Sequence, residues 1–255
     1  MPDAYDGMSA RIIEEIGFKA VQCSGYSFSL SKKYKKESLI TLDENISITK
    51  SIVNSVDVPV FADAEDGYGS GDIFLNNIKK FVKTGIAGIN IEDQNLWSGY
   101  TNESLLPISE SINRIKIIKE NFPDLILNAR TDALNVSNDK KDGIREAIKR
   151  SNTYYENGAN LCFITGVSTK EEIMLLKNEI HGPISIAAGL PYNMNNFDIA
   201  DCVDLEIARV SLPSVMIYAA IKAQQDILKA IKQSGSFNDI TDSLVDMKIL
   251  QSLLK

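Results

Sequence analysis

Short runs of apolar, often β-branched residues alternate along this chain with longer stretches whose apolar side chains recur every three or four positions. The runs 20–24, 58–64, 88–92, 125–130, 161–165, 183–187 and 208–212 are predicted as strands. Most are continuously apolar rather than alternating, as parallel strands covered on both faces should be. Helical spacing predicts helices over 9–16, 43–55, 72–84, 109–121, 142–157, 169–178 and 214–233. Ile12, Ile13 and Ile16 make one stripe of the first, and Asp43 is expected to cap the second. Gly17, Gly85 and Gly158 fall where a helix hands over to the next strand, a position that favours the left-handed conformation.

A repeated order of strand, helix, glycine and strand implies right-handed βαβ crossovers. Seven such strands at roughly 30 residues per unit predict an α/β fold, a (β/α)8 TIM barrel, which typically takes about 250 residues. A doubly wound open sheet is the rival. Placement separates them: chemical residues end several consecutive strands here, as on the C-terminal face of a barrel. The first strand is expected to be short or missing, since only residues 1–4 precede Tyr5 and Asp6. Residues 1–233 are read as the barrel. Residues 234–255, with Gly235 and then Leu244, Ile249 and Leu253, are read as a helical extension packing on the barrel or on a neighbouring subunit.

The strand ends carry the chemistry. The run Val60-Phe61-Ala62-Asp63-Ala64-Glu65-Asp66-Gly67 passes from an apolar strand into three carboxylates and a glycine-rich turn. The next strand ends in Glu92 and Asp93, and the one after it in Arg130. Carboxylates gathered at neighbouring strand ends suit a hard divalent cation such as Mg2+, which takes oxygen ligands and keeps several waters. Asp63 and Glu65 are two apart, so on a regular strand they share a face; Glu92 comes from the neighbouring strand. Asp66 and Asp93 each follow another acid and suit turn or capping roles. Arg130 offers a two-pronged grip for an acidic substrate, and could equally pair with Asp132 or Glu92. Ser24-Gly25-Tyr26 ends the 20–24 strand, the barrel's second, with a hydroxyl and backbone N–H groups able to receive a carboxylate or a developing oxyanion.

Composition narrows the partners. Of the 255 residues, 44% are hydrophobic and 24% charged, an ordinary globular balance, and the net charge of −7 argues against a nucleic-acid partner. The basic run Lys32-Lys33-Tyr34-Lys35-Lys36 reads as a solvated loop, with a mobile lid as the alternative. No apolar run approaches the ~20 residues of a membrane helix. Cys23, Cys162 and Cys202 are odd in number and widely spaced, which suits free thiols in a reducing, cytoplasmic setting. His181, before Gly182 and Pro183, is expected on the barrel side that faces away from the site. With no serine triad, P-loop, zinc set or dinucleotide fingerprint, the remaining chemistry is electrophilic: stabilising an enolate while a bond to the α-substituent breaks.

Taken together, 3–11 (Asp-Ala-Tyr-Asp-Gly-Met-Ser-Ala-Arg), 62–69 (Ala-Asp-Ala-Glu-Asp-Gly-Tyr-Gly), 88–94 (Gly-Ile-Asn-Ile-Glu-Asp-Gln), 128–133 (Asn-Ala-Arg-Thr-Asp-Ala) and 208–211 (Ala-Arg-Val-Ser) resemble the isocitrate lyase/phosphoenolpyruvate mutase superfamily, in its short, phosphonomutase-like subgroup. The resemblance runs in order over nearly the whole chain. It implies a (β/α)8 barrel, usually a homotetramer exchanging its last barrel helix, that binds Mg2+ and small α-oxy-acids through an enolpyruvate-like intermediate. Residue by residue, it implies Asp63 as the direct Mg2+ ligand, Glu65 and Glu92 as its companions, Arg130 as the substrate arginine, and Ser24, Gly25 and Tyr26 at the substrate.

Two departures stand out. Isocitrate-cleaving members carry a Lys-Lys-Cys-Gly-His loop after the strand-four acid, with Cys as acid/base. Here 94–102 reads Gln-Asn-Leu-Trp-Ser-Gly-Tyr-Thr-Asn, which points away from isocitrate or methylisocitrate cleavage and also lacks the Lys and Asn pattern of phosphonopyruvate-forming mutases. The mobile loop usually offers an Asp before its helix, where this chain has Lys36-Glu37; Glu37 takes that catalytic place after a one-residue shift. The leading expectation is a Mg2+-dependent lyase or hydrolase cleaving a C–C bond of a small 2-oxo or 2-hydroxy dicarboxylic acid. Its rivals are P–C chemistry on phosphoenolpyruvate or phosphonopyruvate, and a non-catalytic α-keto-acid binder. A homo-oligomer, dimer or tetramer, is expected, with Val215, Ile217, Ala219, Ala220 and Ile221 on the exchanged helix.

Overall fold

A computed structural model describes residues 1–95 and 104–254. Eight strands occur in chain order: β1 Asp3–Ala4, β2 Val21–Cys23, β3 Val60–Asp63, β4 Gly88–Glu92, β5 Ile126–Thr131, β6 Leu161–Ile164, β7 Ile184–Ala187 and β8 Arg209–Ser211. Each pairs in parallel with the next. The ring closes where Pro2 bridges Leu212 in parallel, with the Leu212 N–H donating to the Met1 carbonyl at 3.1 Å. The fold is therefore the (β/α)8 barrel and not the open sheet. The expected gap at the first strand is filled by β1: two residues suffice, because the Ser211 hydroxyl also donates to Asp3 Oδ1 at 2.9 Å across the seam.

The helices are α1 Gly7–Glu15, α2 Gly25–Ser31, α3 Leu42–Val53, α4 Gly71–Val82, α5 Ile108–Asn121, α6 Ala133–Val136, α7 Lys140–Glu156, α8 Lys170–Glu179, α9 Ile199–Asp204, α10 Val215–Ser234 and α11 Met247–Leu253. Thr41, not Asp43, caps α3: its hydroxyl takes the Glu44 N–H while the Glu44 carboxylate returns to the Thr41 N–H, so two orphan donors are satisfied at once. Gly17, Gly85 and Gly158 have φ of 102°, 96° and 104°, the left-handed turns expected after α1, α4 and α7. In the C-terminal segment, α11 lies against α1, and the 3-10 turn Asn238–Ser243 against α10.

The barrel interior is less apolar than the strand sequences suggest. Asn90 and Asn128 stand opposite each other in the β4–β5 register, and Asn128 Nδ2 donates to Asn90 Oδ1 at 2.8 Å. Arg209 lies among them, donating to Gln22 Oε1 and to the Ser185 hydroxyl (3.2 Å), with its guanidinium 5.6 Å from the Phe61 ring centre and 5.5 Å from Phe163. Burial lowers its pKa to about 10, so it stays charged at neutral pH. A buried guanidinium is tolerable here because ring faces and amide oxygens replace much of its water. This polar layer forms the floor beneath the strand ends.

Candidate active site

The strand ends and the first residues of the following loops enclose a cavity of about 300 Å³ lined by Ser24, Tyr26, Glu37, Asp63 and Arg130, among others. Glu37 and Asp63 of this lining converge with Glu65, buried behind it: one oxygen from each lies within 4.8 Å of the others. Asp63 is the last residue of β3, fixed by Asn45 of α3, whose side-chain amide donates to the Asp63 carbonyl at 2.8 Å. Glu65 joins it by a route that strand alternation does not provide. Its backbone is left-handed, φ 54°, outside the strand, and the Glu92 N–H holds its carbonyl at 2.9 Å. A non-glycine residue in that conformation is uncommon and persists only where its surroundings impose it.

The amides that open α2 point into the same cluster. The Gly25 N–H donates to Asp63 Oδ2 at 3.3 Å, and the Tyr26 N–H faces Glu37. Ser24 lines the cavity, but its hydroxyl caps α2 by accepting from the Ser27 N–H at 3.2 Å. Gly25 is where it is because nothing larger fits: an added Cβ would lie 1.7 Å from Glu65 Oε1 and 3.0 Å from Glu37 Oε1. Gly25→Ala should therefore displace Glu65 and weaken divalent-cation affinity by at least about tenfold while the fold survives, measured by calorimetric titration.

Repulsion is built into this cluster. Asp63 Oδ1 and both Glu65 oxygens are buried without a hydrogen-bond partner. Burial, reinforced by the Asp63 charge, raises the Glu65 carboxyl well above the usual range; burial also raises Asp63, against the pull of Arg130. Glu37, with its carboxyl turned inward, is pushed up to about 7 by burial and by Asp63. Buried oxygens with no partner and with mutual repulsion are what a hard cation would satisfy, so the donor set fits Mg2+ or a close relative.

Glu92 ends β4 beside Arg130, with 2.9 Å between its Oε2 and Arg130 Nη1. Burial raises Glu92 well above the usual carboxylate range, opposed by Arg130. Arg130 is also forked onto Asp132, Nε to Oδ2 at 2.9 Å and Nη2 to Oδ1 at 3.0 Å. Both pairings foreseen from sequence therefore occur together. Burial works against the guanidinium's charge, but Asp132 and Glu92 outweigh it and raise its pKa further. Asp132 is itself held by the Thr165 hydroxyl at 2.7 Å and Asn135 Nδ2 at 2.9 Å.

Asp66 and Asp93 turn away from the cavity. Asp66 Oδ1 takes the Tyr68 N–H at 2.9 Å. Asp93 accepts from the Tyr154 hydroxyl (2.7 Å), Arg150 Nη1 (3.1 Å) and the Asp132 N–H (3.0 Å). Two arginines that the sequence reading left out tie these loops to the helices. Arg150 of α7 also reaches the Leu106 carbonyl at 3.0 Å, and Arg114 of α5 donates to the Asp66 and Gly69 carbonyls while stacking 5.4 Å from Phe74. Both sit on otherwise inward helix stripes, which was their only signal. His181 is exposed after α8, and the lysines at 33, 35 and 36 are exposed on their loop. Of the 94–102 segment that stands where isocitrate-cleaving members carry their Cys loop, residues 96–102 lie outside the described residues.

The raised acids set a pH dependence. Burial also lifts Asp3 to about 7, with Arg209 opposing. Unfolded carboxylates ionise near pH 4, whereas Asp3 and Glu37 keep their protons to about 7, so between those values the folded state binds more protons. Stability of the metal-free protein should therefore fall as pH rises from about 5.5 to about 8, by on the order of 2–4 kcal/mol. Asp132, held below the usual carboxylate range by Arg130 although burial opposes it, is ionised in both states across this window and adds no slope. Denaturant titrations in EDTA would show the fall, and Mg2+ with oxalate should flatten it.

Residues 1–232 match the family model described as phosphoenolpyruvate phosphomutase. The chain is 30% identical over 246 residues to the 2-methylisocitrate lyase of Bacillus subtilis (strain 168), spanning 92% of this chain and 78% of that protein. It is 29% identical over 262 residues to the 2,3-dimethylmalate lyase of Eubacterium barkeri, spanning 99% and 88%. Among solved structures, a phosphonopyruvate hydrolase in complex with oxalate and Mg2+ shares the fold with a TM-score of 0.87 at 23% identity, over 99% of this chain and 88% of that one. With the barrel, the acid cluster and a family match over nearly its full length in place, the chain belongs to the phosphoenolpyruvate phosphomutase family, within the isocitrate lyase/phosphoenolpyruvate mutase superfamily.

Proposed function

We propose that this protein is a Mg2+-dependent lyase or hydrolase that cleaves a C–C bond of a small 2-oxo or 2-hydroxy dicarboxylic acid through an enolate. The observation that carries the reading is the set of partnerless buried oxygens on Asp63 and Glu65, clustered with Glu37 beside the cavity that Asp63, Glu37 and Arg130 line. Asp63 and Glu65 would hold the ion, with Glu92 at its edge beside Arg130 and Glu37 facing it as the acid/base. Bound Mg2+ would supply a Lewis acid for negative charge carried on the substrate's α-oxygen.

The chain's own groups do the rest. Arg130 has five N–H donors; two are spent on Asp132 and one faces Glu92. The two that remain, one on each terminal nitrogen, form an end-on fork for a substrate carboxylate. Asp132 keeps that fork from rotating. Glu37, which faces the same cluster, would accept the proton of a 2-hydroxyl or hydrated 2-oxo group.

Purified protein incubated with oxaloacetate and with alkyl-substituted malates should turn one of them over in Mg2+ and stop in EDTA. Equal rates in both conditions would reject the metal-based reading. Stabilisation by oxalate without turnover of any candidate would favour a binding protein instead. The second reading, P–C chemistry, is favoured by the description of the family model over residues 1–232; a phosphonate signal made or lost in phosphorus NMR would select it.

No helix among the described residues is long and apolar enough to cross a membrane, and the three cysteines are free and buried, which suits the cytoplasm. Val215, Tyr218, Ile221 and Leu228 leave a largely exposed apolar stripe on α10, which supports a homo-oligomer, dimer or tetramer, built by exchange of that helix.

A further inference from the structure

Asp93, the residue after β4, grips the end of β5 on both sides of Thr131. Its N–H donates to the Arg130 carbonyl at 3.1 Å, and its Oδ1 accepts from the Asp132 N–H at 3.0 Å. Those are the two residues whose side chains make the fork, Arg130 Nε and Nη2 on Asp132 Oδ2 and Oδ1. The other Asp93 oxygen, Oδ2, is held from the outer layer of helices. The Tyr154 hydroxyl reaches it at 2.7 Å and Arg150 Nη1 at 3.1 Å, both from α7. Arg150 is anchored in turn, with Nε 2.8 Å from Glu146 Oε1 and Nη2 donating to the Leu106 carbonyl at 3.0 Å. The Leu106 N–H returns to the Asp93 carbonyl at 2.6 Å.

Asp93, Tyr154 and Asp132 are each 1% exposed and Arg150 6%, so bulk water does not compete for these bonds. Asp93, Arg150 and Tyr154 are not among the residues lining the cavity, so they reach a substrate only through Arg130. The Asp93 charge is matched by Arg150, whereas the charges acting most on Arg130 are Asp132, Glu92 and Asp63. What Asp93 gives Arg130 is therefore geometry. The Asp132 carboxylate is also held by Thr165 and Asn135, but both of those bonds reach Oδ1. Its Cα–Cβ direction is set by the backbone, and the Asp132 N–H donates to Asp93. Release of that N–H lets the peptide between 131 and 132 turn. A two-pronged bond tolerates little rotation, so a small turn there misdirects the guanidinium.

We propose that Asp93, clamped by Arg150 and Tyr154, is a positioning residue for the Arg130 fork, through which α7 on the outside of the barrel sets the affinity for a substrate carboxylate. Its effect appears in the binding of the acid and not in the binding of the metal ion. The inference rests on the reading of Arg130 as the substrate arginine, and it adds the three remote residues that aim it.

The test measures two affinities by calorimetry: Mg2+ for the metal-free protein, and oxalate for the protein saturated with Mg2+. Asp93→Asn keeps the side-chain volume but offers one acceptor oxygen where donors converge from two sides. It should weaken oxalate by about tenfold or more and leave Mg2+ within about threefold of wild type. Tyr154→Phe, which removes one hydroxyl and keeps the ring, should weaken oxalate by about threefold or more. On an Arg130→Lys background, where no fork remains, Asp93→Asn should cost oxalate less than about threefold, because the two residues act as one unit. Exchange of the Arg130 Nε–H with solvent, followed by side-chain NMR and assigned by its loss in Arg130→Lys, should quicken by about tenfold or more in Asp93→Asn. Oxalate binding unchanged in both variants, or Mg2+ and oxalate affinities that fall together, overturns the proposal. Should Asp93→Asn not fold, Tyr154→Phe carries the same readouts. If the wild type binds no oxalate, the reading of the site is what fails, and the exchange rate alone decides the positioning: an unchanged rate overturns it.

Discussion

Asp63→Ala should lower turnover by at least about 1,000-fold while leaving the metal-free protein as stable as the wild type, or more so. The two halves of this expectation have one cause. Asp63 brings a buried charge to Glu65 and Glu37, and each of these is raised in part by it. Without a cation that proximity is a repulsion, and removing one member relieves it. The bond lost in exchange is a single long one, from the Gly25 N–H at 3.3 Å. With the cation, the same proximity is the binding site. Thermal melts in EDTA and in Mg2+ would separate the effects: the variant should match or exceed wild type in the first and gain little in the second. A variant that is destabilised in EDTA and still stabilised by Mg2+ would show that Asp63 is a structural residue.

Removing Arg130 should act in the opposite sense on stability. Glu92 and Asp132 are both almost completely buried and share this guanidinium. Arg130→Ala would leave two buried carboxylates without their cation, a change that costs about 3–5 kcal/mol when a buried ion pair is broken. In a chain of this size that lowers the melting temperature by roughly 6–20 °C. Activity should fall with it by at least about 1,000-fold, since the substrate fork is gone. Arg130→Lys separates the two effects. An ammonium restores the charge between Glu92 and Asp132 but cannot fork onto Asp132 and a substrate at once. Most of the stability should return, whereas kcat/KM should stay depressed by about 100-fold or more, chiefly through KM. Full recovery of kcat/KM in the lysine variant would mean that Arg130 serves only as a counter-ion.

The barrel was legible because its signals are local and repeated. β4 occupies the residues expected of it, and the seven predicted strands all appear, because continuously apolar runs bounded by glycine and acid have few alternatives. Helix α2 was not legible: Gly-Tyr-Ser-Phe-Ser-Leu-Ser alternates polar and apolar with a period of two, a strand-like pattern, and becomes helical because Ser24 caps it and Phe28 is fully buried. Helices α6 and α9 are too short for any period to register.

The site divides in the same way. Acids at strand ends could be read directly from the order of residues. What could not be read was the left-handed turn at Glu65, which sets its carboxylate beside Asp63 by tertiary constraint rather than by strand geometry. The convergence of Glu37 on the same point, from the 3-10 turn Glu37–Leu39 after α2, came only through the family resemblance. Glu92, grouped with Asp63 and Glu65 from sequence, is held beside Arg130 in the structure. The polar floor of Gln22, Asn90, Asn128 and Arg209 was likewise hidden, because each of its members comes from a different strand and only barrel closure brings them together.

The most direct test is calorimetric titration of the metal-free protein with Mg2+, with oxalate present and absent. The wild type should bind one ion per chain, more tightly with oxalate, and Asp63→Ala should show no saturable heat at millimolar Mg2+. Wild-type protein that takes up no Mg2+ under those conditions, or a variant that binds it as well as wild type does, would contradict the assignment of the acid cluster as a metal site.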